Sequence, residues 1–204
     1  MENVYGKYAP YLPEILEMMM QRMERLNKQA KQKRGRKLYE HLNGRIKTQE
    51  SMAEKCQRKG LELSTVSTLH EIKDAIALRL VCGFIDDIYT CVEEIRAFPD
   101  CKVVTEKDYV KNAKPNGYRS YHMILELTVP FEDVLGNNPG TYYVEIQLRT
   151  IAMDSWASLE HEMKYKHKIK DPERIAKELK RCADELASCD VTMQTIRQLI
   201  HEND

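Results

Sequence analysis

The chain has 204 residues, enough for one domain with a substantial hydrophobic core, and its 32 Lys and Arg residues equal its 32 Asp and Glu residues in number. This balance gives no argument for a nucleic-acid or membrane partner, no apolar run is long enough to span a bilayer, and none resembles a signal peptide. The six cysteines include no Cys-x-x-Cys pair, so we expect reduced core cysteines and a cytoplasmic protein without a thiol metal site.

The first predicted element is a long helix that begins near Pro13, a residue suited to the first turn of a helix. Its apolar residues recur at alternating steps of four and three, which defines a narrow 3.5-residue stripe. The stripe consists of Leu12, Leu16, Met19, Met23, Leu26 and Ala30. The charged patch from Lys31 to Lys37, which contains Gly35, is expected to end or bend this helix.

A strongly basic segment follows, with eleven basic and three acidic residues between Lys28 and Lys59, a net charge of +8. Within it, Thr48 is a predicted N-cap and Gly60 a predicted C-terminal cap for one helix. One face of that helix carries a hydroxyl and three cations, from Ser51, Lys55, Arg58 and Lys59. Such a face is ordinarily solvated. Arg45 and Lys47 just before it favour a polyphosphate site, because a polyphosphate needs cations that converge from several directions.

Residues 75–82 are nearly all apolar and predict a central strand that is buried on both faces. Asp74 lies at the mouth of this strand and Arg79 lies within it. Strict alternation would place their side chains on opposite faces, unless Asp74 precedes the regular pleat or a bulge intervenes. Both explanations stay open at the level of sequence.

A turn and a strand between Lys114 and Thr128 form the centre of the predicted architecture. The Pro-Asn-Gly sequence predicts a turn, and the alternation after it predicts a strand in which His122 faces away from the apolar side. Lys114, Tyr118 and Arg119 place cations and a planar ring next to that polar face, a combination that favours a nucleotide site. The alternative is an ordinary hairpin loop with a solvated basic tip.

The Asn-Asn-Pro-Gly sequence at 137–140 predicts a second turn, so the strands on either side of it should pair antiparallel. In the second of these strands, Glu145, Gln147 and Arg149 alternate with an apolar face. Glu145 and His122 can therefore face the same cleft. A carboxylate on a solvated sheet face is ordinary, however, and carries no chemistry by itself.

Two helices are predicted at the C-terminal end. The first covers residues 151–166 and should turn four side chains inward, those of Ala152, Trp156, Leu159 and Met163. The second starts at Pro172 and has eight apolar positions in unbroken steps of four and three. These are Ile175, Leu179, Cys182, Leu186, Cys189, Met193, Ile196 and Ile200. Such a stripe can pack on the N-terminal helix of the same chain or on a partner chain, and we expect both.

Several common nucleotide and metal motifs are absent from the sequence. They are Gly-x-x-x-x-Gly-Lys-Ser/Thr, Gly-x-Gly-x-x-Gly, His-Glu-x-x-His and the His-Asp dipeptide. The remaining polar set combines clustered cations, Asp74 at a strand mouth, Glu145 on a strand face and Tyr118 on a loop. This set is sufficient in kind for phosphoryl-type transfer, because cations and a carboxylate-held Mg²⁺ neutralise a polyphosphate and a second carboxylate can accept the proton of an attacking hydroxyl.

Five motifs occur in a fixed order between residues 40 and 168. They are Arg45-Ile-Lys47 with Ser51, Lys55 and Arg58-Lys59-Gly60; Asp74-x-x-x-x-Arg79; Phe84-Ile-Asp-Asp-Ile-Tyr89; Lys114-Pro-Asn-Gly-Tyr-Arg-Ser-Tyr-His122; and Glu145-Ile-Gln-Leu-Arg-Thr150 with Met153-Asp-x-Trp156, Glu160-His161 and Tyr165-Lys166. Together they resemble the synthetase domain of the RelA/SpoT family. With long helices at both ends and no hydrolase domain expected, the chain is most similar to small alarmone synthetases of the RelQ type.

The resemblance implies an enzyme that transfers the β,γ-pyrophosphate of ATP to the 3′-hydroxyl of GDP or GTP, which makes the stringent-response alarmone (p)ppGpp. It also implies Mg²⁺ as the cofactor. By resemblance, Asp74 and Glu145 are the metal ligands, and Glu145 also polarises the attacking hydroxyl.

The resemblance further assigns the two nucleotide sites. For ATP, Arg45 and Arg79 would sandwich adenine, and the phosphates would be surrounded by Lys47, Ser51, Lys55 and Lys59. For GDP or GTP, Tyr118 would stack on guanine, and the site would be completed by Lys114, Asn116, His122 and Gln147. One position departs from the family pattern, since Ala77 stands where Gly is expected, and we treat its extra methyl group as minor.

From these observations we predict an α/β fold with a mixed, twisted sheet of roughly five strands flanked by helices. Residues 1–204 would form a single synthetase domain. It would comprise an N-terminal helical extension (1–40), a catalytic core (41–168) and a C-terminal oligomerisation helix (169–204). The two apolar stripes predict a homo-oligomer whose contacts use both terminal helices, and the resemblance implies that it is a tetramer.

Two other functions remain compatible with the sequence. A pyrophosphokinase that modifies the 3′ end of tRNA would use the same chemistry, and a catalytically silent RNA-binding module would use the same basic segment. The presence of both Asp74 and Glu145 argues for turnover. The preferred acceptor among GMP, GDP and GTP, and regulation by RNA or (p)ppGpp, stay open at this level.

Overall fold

The computed structural model describes residues 3–166 and 171–202. Its strands are β1 His41–Ile46, β2 Ile76–Cys82, β3 Cys101–Asp108, β4 Tyr121–Val129 and β5 Gly140–Thr150. They form one sheet in the order β1-β2-β5-β4-β3. β2 and β5 run parallel and the other neighbouring strands run antiparallel, which confirms the predicted mixed sheet.

Five α-helices accompany the sheet in the described residues, together with a 3₁₀ turn at Gly6–Tyr8 and a π turn at Ser67–Glu71. The α-helices are α1 Tyr11–Arg34, α2 Gln49–Lys59, α3 Ile85–Arg96, α4 Ile151–Lys166 and α5 Pro172–His201. The predicted boundary between the core and the C-terminal helix, at residues 168 and 169, lies outside the described residues. Over the described part of the chain, no helix combines the length and the hydropathy that a membrane span requires. All six cysteines are free thiols, in agreement with the expectation from their spacing.

The sheet has one apolar face and one polar face because its strands alternate. Leu78 and Leu80 of β2, Ile146 of β5 and Met123 of β4 are buried together under α1 and α3. The Asn-Asn-Pro-Gly segment connects β4 to β5 as an antiparallel hairpin, as predicted. The core therefore lies on one side of the sheet, and the opposite side is left for polar residues.

Helix α1 belongs to this core. It ends at Gly35, whose φ of +72° is the left-handed conformation that glycine adopts easily. Five of its six predicted stripe residues are buried within the chain, and Leu16 is half-buried. This stripe packs on the sheet of its own chain, whereas the C-terminal helix packs mainly on α4 and α3. The prediction that the two terminal helices of one chain pack on each other is therefore wrong. Helix α2 also follows the prediction, since Thr48 caps its start and Gly60 its end.

Helix α4 packs differently from the prediction. Trp156 is buried as expected, but Leu159 is 57% exposed and Met163 38% exposed. The second buried apolar residue is instead Met153. The buried apolar residues of α4 therefore lie in its first two turns, close to the end of β5.

Helix α5 is rotated by one residue relative to the predicted stripe. Leu179 of the stripe is buried as predicted. The other buried residues, Ala183, Asp190 and Gln194, each come one position after a stripe residue. Thr150 donates to Asp190 (2.6 Å), Gln194 donates to Asp86 (2.5 Å) and Arg197 donates to Asp87 (2.9 Å). Polar partners therefore fix the C-terminal half of α5, and the apolar residues Met193, Ile196 and Ile200 stay exposed.

The packing of Gly140 generates a stability prediction. A Cβ atom here would lie 2.5 Å from both the backbone nitrogen of Asp133 and the carbonyl oxygen of Phe131. Backbone atoms cannot move aside cheaply, so Gly140→Ala should lower the free energy of unfolding by about 1–3 kcal/mol, measured by urea denaturation. Gly83→Ala is the matched control, because the nearest atom to its added Cβ lies 3.9 Å away. An equal loss in both variants would contradict the explanation.

Candidate active site

The register of the strands determines how the polar face of the sheet is arranged. Arg45 of β1 and Glu145 of β5 lie in one row on either side of β2. In the next row, Arg79 of β2 lies opposite Gln147 of β5, which lies opposite His122 of β4. Residues directly opposite one another in neighbouring strands point to the same face. The register therefore brings the two predicted ATP-side arginines and three of the other predicted site residues to one surface.

Asp74 lies just before β2, which begins at Ile76, so its carboxylate is outside the regular pleat and no bulge is needed. Lys47 Nζ lies 3.3 Å from Asp74 Oδ2, and Lys55 Nζ contacts the same oxygen. The Lys47 backbone N–H donates to the carbonyl of Ala75 (2.8 Å), which ties the turn after β1 to the start of β2. Cations from two different elements thus converge on one carboxylate.

Ser51 and Lys59 lie on α2 together with Lys55. The backbone N–H of Ser51 donates to Thr48 Oγ1 (3.3 Å), and the hydroxyl groups of the two residues lie 3.1 Å apart. Ser51 is thereby held in the first turn, where the unpaired N–H groups of a helix favour anions. Lys59 is exposed at the other end of α2, one turn beyond Lys55. The structure therefore groups Lys47, Ser51 and Lys55 closely and places Lys59 at the margin.

A cleft of about 470 Å³ opens between the polar face and α4, a size typical of small-molecule sites. Its walls include Arg45, Arg79, Arg149, Tyr118 and Gln147. Burial and the charges of Arg149 and Arg45 lower the pKa of Arg79, although Asp154 opposes this effect. Asp154 of α4 forms ion pairs with both Arg79 (3.3 Å) and Arg149 (3.0 Å). Because three guanidinium groups line the cleft and Asp154 pairs with two of them, the cleft favours an anionic ligand.

Both carboxylate oxygens of Glu145 have partners on the polar face. His122 Nδ1 lies 3.2 Å from Oε1, and Gln147 Nε2 donates to Oε2 (2.8 Å). Burial raises the pKa of Glu145, but the hydrogen bonds from His122 and Gln147 and the charge of Lys55 outweigh burial and lower this pKa to about 2. Glu145 therefore stays ionised at neutral pH. It can orient a hydroxyl group or bind a cation, but a carboxylate of such low pKa is a weak base.

Tyr118 connects the arginine side of the cleft to Glu145. Arg149 Nη2 donates to the Tyr118 hydroxyl (2.9 Å), which lies 2.9 Å from His122 Nε2. Arginine has no acceptor, so the hydroxyl accepts from Arg149 and can donate its own proton to His122. A hydrogen on Nδ1 of His122 then points to Glu145. The chain of hydrogen bonds runs from Arg149 through Tyr118 and His122 to Glu145.

Residues 114–119, which we call the acceptor loop, form a tight turn at the edge of the cleft. Gly117 N–H donates to the carbonyl of Lys114 (2.8 Å), and Lys114 N–H donates to the carbonyl of Tyr118 (3.0 Å). The Lys114 ammonium group lies 4.7 Å from the centre of the Tyr118 ring. Asn116 Nδ2 donates to Glu160 of α4 (3.3 Å) and does not reach the sheet face. Lys114, Tyr118, His122 and Gln147 are therefore grouped together, and Asn116 faces α4.

Sequence reasoning missed two residues of this site, Arg149 and Asp154. The Arg149 side chain is 7% exposed and donates to Asp154, Tyr118 and Gln147. The alternation of side chains in β5 correctly predicted that Arg149 shares a face with Glu145, but it did not indicate a role for Arg149. Asp154 could be found only from the contact of α4 with the sheet.

Asp74 and Glu145 fit Mg²⁺ chemically, because this ion prefers oxygen ligands and is commonly bound by one or two carboxylates together with phosphate groups. Asp74 Oδ1 is buried and has no hydrogen-bond partner among the described residues, an orphaned oxygen that a cation would satisfy. In the described part of the chain, no group of three or more His, Cys, Asp or Glu side chains is placed to hold a metal. Phosphate and water oxygens would therefore complete the coordination shell.

Known proteins share both this sequence and this fold. Residues 44–170 match the family profile described as the region found in RelA/SpoT proteins. The chain is 43% identical over 145 residues to the GTP pyrophosphokinase YwaC of Bacillus subtilis, covering 71% of this chain and 67% of that protein. It is 36% identical over 163 residues to the GTP pyrophosphokinase YjbM of the same organism, covering 80% of this chain and 74% of that protein.

Two crystal structures from B. subtilis are similar over nearly the whole chain. Small alarmone synthetase 1 bound to its product pppGpp matches with a TM-score of 0.82 and 30% identity, covering 95% of this chain and 98% of that one. Small alarmone synthetase 2 matches with a TM-score of 0.80 and 34% identity, covering 92% and 95%. The similarity therefore includes the terminal helices as well as the sheet.

The surroundings of Tyr118 generate a binding prediction. Stacking on a base contributes about 1–3 kcal/mol, so Tyr118→Ala should weaken the affinity for GDP by that amount and leave ATP affinity nearly unchanged. Tyr118→Phe keeps the ring and should change GDP affinity only mildly. Isothermal titration calorimetry measures both affinities. Tyr11→Ala is the control, since Tyr11 stacks on Phe131 outside the cleft. An equal loss for GDP and ATP would mean that Tyr118 orders the loop without contacting the base.

Proposed function

The chain belongs to the RelA/SpoT family, and from this premise we propose that it transfers the β,γ-pyrophosphate of ATP to the 3′-hydroxyl of GDP or GTP. It is an enzyme of the GTP pyrophosphokinase type, as its similarity to YwaC and YjbM indicates. One observation carries the proposal most directly. Asp74 lies with two lysines at the start of β2, and Glu145 lies with His122 on the polar face of the sheet, which also borders a cleft lined with arginine and Tyr118.

The donor side of the site accounts for binding of a polyphosphate. Arg45 and Arg79 flank the cleft as planar cations that can stack on adenine. Lys47 and Lys55 would neutralise the phosphate charge, including the charge that develops on the AMP leaving group. Mg²⁺, when held by Asp74 and Glu145 with phosphate oxygens, supplies further charge neutralisation.

The acceptor side accounts for the attacking hydroxyl group. The 3′-oxygen forms a bond to the β-phosphorus of ATP, the bond between this phosphorus and the α,β-bridging oxygen breaks, and AMP leaves. Glu145 would accept a hydrogen bond from the 3′-hydroxyl and hold its oxygen in line with the β-phosphorus. As the new bond forms, the hydroxyl proton would pass by way of Glu145 to solvent. His122 and Gln147 fix the Glu145 carboxylate from both sides, so its position is set before substrates bind.

The structure offers less support for an RNA-directed function. Within the basic segment, Arg34 pairs with Glu94 (2.7 Å), Arg36 with Asp87 (3.2 Å) and Lys37 with Glu40 (3.2 Å). These pairs reduce the positive surface that RNA binding requires. Both alternatives from the sequence, tRNA modification and RNA binding without turnover, are therefore less favoured than synthesis of (p)ppGpp.

Turnover with labelled ATP tests the proposal. Wild-type protein with Mg²⁺ should form AMP and a 3′-pyrophosphorylated guanine nucleotide from GDP or GTP, and no product with deacylated tRNA. Glu145→Gln should keep nucleotide affinity and lose at least ~100-fold in rate, the usual scale for a lost general base or orienting group. Glu126→Gln is the control, because Glu126 lies on the same face of β4 but outside the cleft. Product with tRNA alone would overturn the acceptor assignment, and a fully active Glu145→Gln would overturn its role.

We also propose that the chain forms a homo-oligomer, a tetramer, through α5. Met193 is 51% exposed, Ile196 46% and Ile200 58%, and these side chains form one apolar row on the helix. Monomeric proteins rarely leave such a row in water. Leu186 of the predicted stripe is instead half-buried against Trp156 in its own chain.

The exposed row generates an assembly prediction. Replacing Met193 and Ile196 with Lys should dissociate the oligomer and leave the fold intact, because unpaired charges would have to be buried at the interface. Thr195→Lys with Gln198→Lys adds the same charge to exposed polar positions of α5 and should leave the mass unchanged. Size-exclusion chromatography with light scattering gives the mass of each variant. A monomeric wild type, or an apolar-row variant that keeps its full mass, would contradict the proposal.

A further inference from the structure

We propose that α5 is a positioning element for the acceptor loop and that Ala183 determines where this loop lies. The inference rests on the proposed function, because it takes residues 114–119 as the part of the site that receives the guanine nucleotide. It assigns a role to α5 inside the chain, separate from any role of its exposed apolar row.

The acceptor loop lies directly against α5. A Cβ atom on Gly117 would be 2.6 Å from the Cβ of Ala183 and 3.5 Å from the Cα of Lys180. Gly117 also has a φ of +90°, which only glycine adopts at low cost. Both sides of this contact are therefore restricted in size, and a larger side chain at position 183 must displace the loop or the helix.

Tyr118 is linked to the same contact. Trp156 of α4, Leu179 and Ala183 form a small buried cluster, distinct from the main core, and Tyr118 packs against it. Trp156 Nε1 donates to the carbonyl of Leu179 (2.8 Å), so a hydrogen bond holds α4 and α5 together at this point. The ring that we propose for guanine stacking is thus placed by a cluster that α5 completes.

The α5 helix is itself fixed in rotation and in register. Asp190 accepts a hydrogen bond from Thr150 at the end of β5 (2.6 Å), and Arg197 donates to Asp87 at the start of α3 (2.9 Å). Buried polar pairs have directional geometry and are costly to break, so they prevent the sliding that purely apolar packing permits. The acceptor loop therefore lies on a platform with a defined position.

The phosphate-binding part of the donor side lies apart from this platform. Lys47, Lys55 and Asp74 belong to the region from β1 to β2, whereas α5 packs mainly on α4 and α3. A displacement of the acceptor loop should therefore change the KM for the guanine nucleotide and spare the KM for ATP. A general loss of folding would affect both values.

Substitutions at Ala183 test the inference by size. Ala183→Leu should raise the KM for GDP about tenfold or more, since displacements of about 1 Å are costly at a reacting centre. The KM for ATP should stay within about twofold. Ala183→Ser introduces a side chain that is nearly as small as alanine, so this variant should keep the wild-type KM values for GDP and ATP. Ala176→Leu is the matched control, because it makes the same change at an exposed position of the same helix.

A second measurement needs no nucleotide and no turnover. Amide hydrogen exchange in residues 114–119 should be faster in Ala183→Leu than in Ala176→Leu, because a displaced loop loses its backbone hydrogen bonds. Trp156→Phe is the substitute test if Ala183→Leu does not fold. It removes the hydrogen bond to Leu179 and keeps most of the aromatic side chain, so it should also accelerate exchange in residues 114–119. If the wild type forms no product, the proposed function fails, and the exchange data still decide whether α5 holds the loop. Unchanged exchange, or equal changes in the KM for GDP and ATP, would overturn the inference.

Discussion

The parallel pairing of β2 with β5 is the constraint on which the rest of the site depends. It joins one part of the chain, with Arg45, Lys55 and Asp74, to another part, with His122 and Glu145. Because side chains alternate with a period of two, a slip of one residue would turn Glu145 and Gln147 into the core and place Val144 and Ile146 in the cleft. The apolar face under α1 and α3 makes such a slip unfavourable. The core that stabilises the fold thus also holds the chemical groups in register.

Near the cleft, each of two carboxylates pairs with two cationic side chains. Asp74 is shared by Lys47 and Lys55, and Asp154 is shared by Arg79 and Arg149. Partly buried cations without partners would be unfavourable, and full pairing would leave nothing for a ligand. A smaller number of carboxylates than cations meets both requirements. Each of these four cations has a partner in the folded protein, and enough positive charge remains for the cleft to attract phosphate. This local excess of cations does not appear in the net charge of the whole chain, which is therefore uninformative about the ligand.

Sequence patterns predicted the helices, strands and turns better than the contacts between them. Alternation in β4 and β5 and the turn at 137–140 determined the hairpin and placed Glu145 near His122, and the caps Thr48 and Gly60 bounded α2. The position of Asp74 could not be decided, because alternation does not indicate where a strand begins. The first half of the α5 stripe packs within the chain, but its second half is exposed, because periodicity cannot show that Asp190, Gln194 and Arg197 have polar partners on β5 and α3. Asp154 was missed because its role depends on how α4 meets the sheet.

The strand order also has a consequence for the time course of folding. β4 and β5 are neighbours in sequence and can form a hairpin early, whereas Ile76 pairs with Val144 across a long stretch of intervening chain. Long-range pairs form late, because closing the loop between them costs entropy before any contact compensates for it. During synthesis the donor half from β1 to β2 leaves the ribosome before β5 exists. A chain interrupted before residue 140 would therefore carry the lysines and Asp74 but lack Glu145, the carboxylate that we propose orients the attacking hydroxyl group.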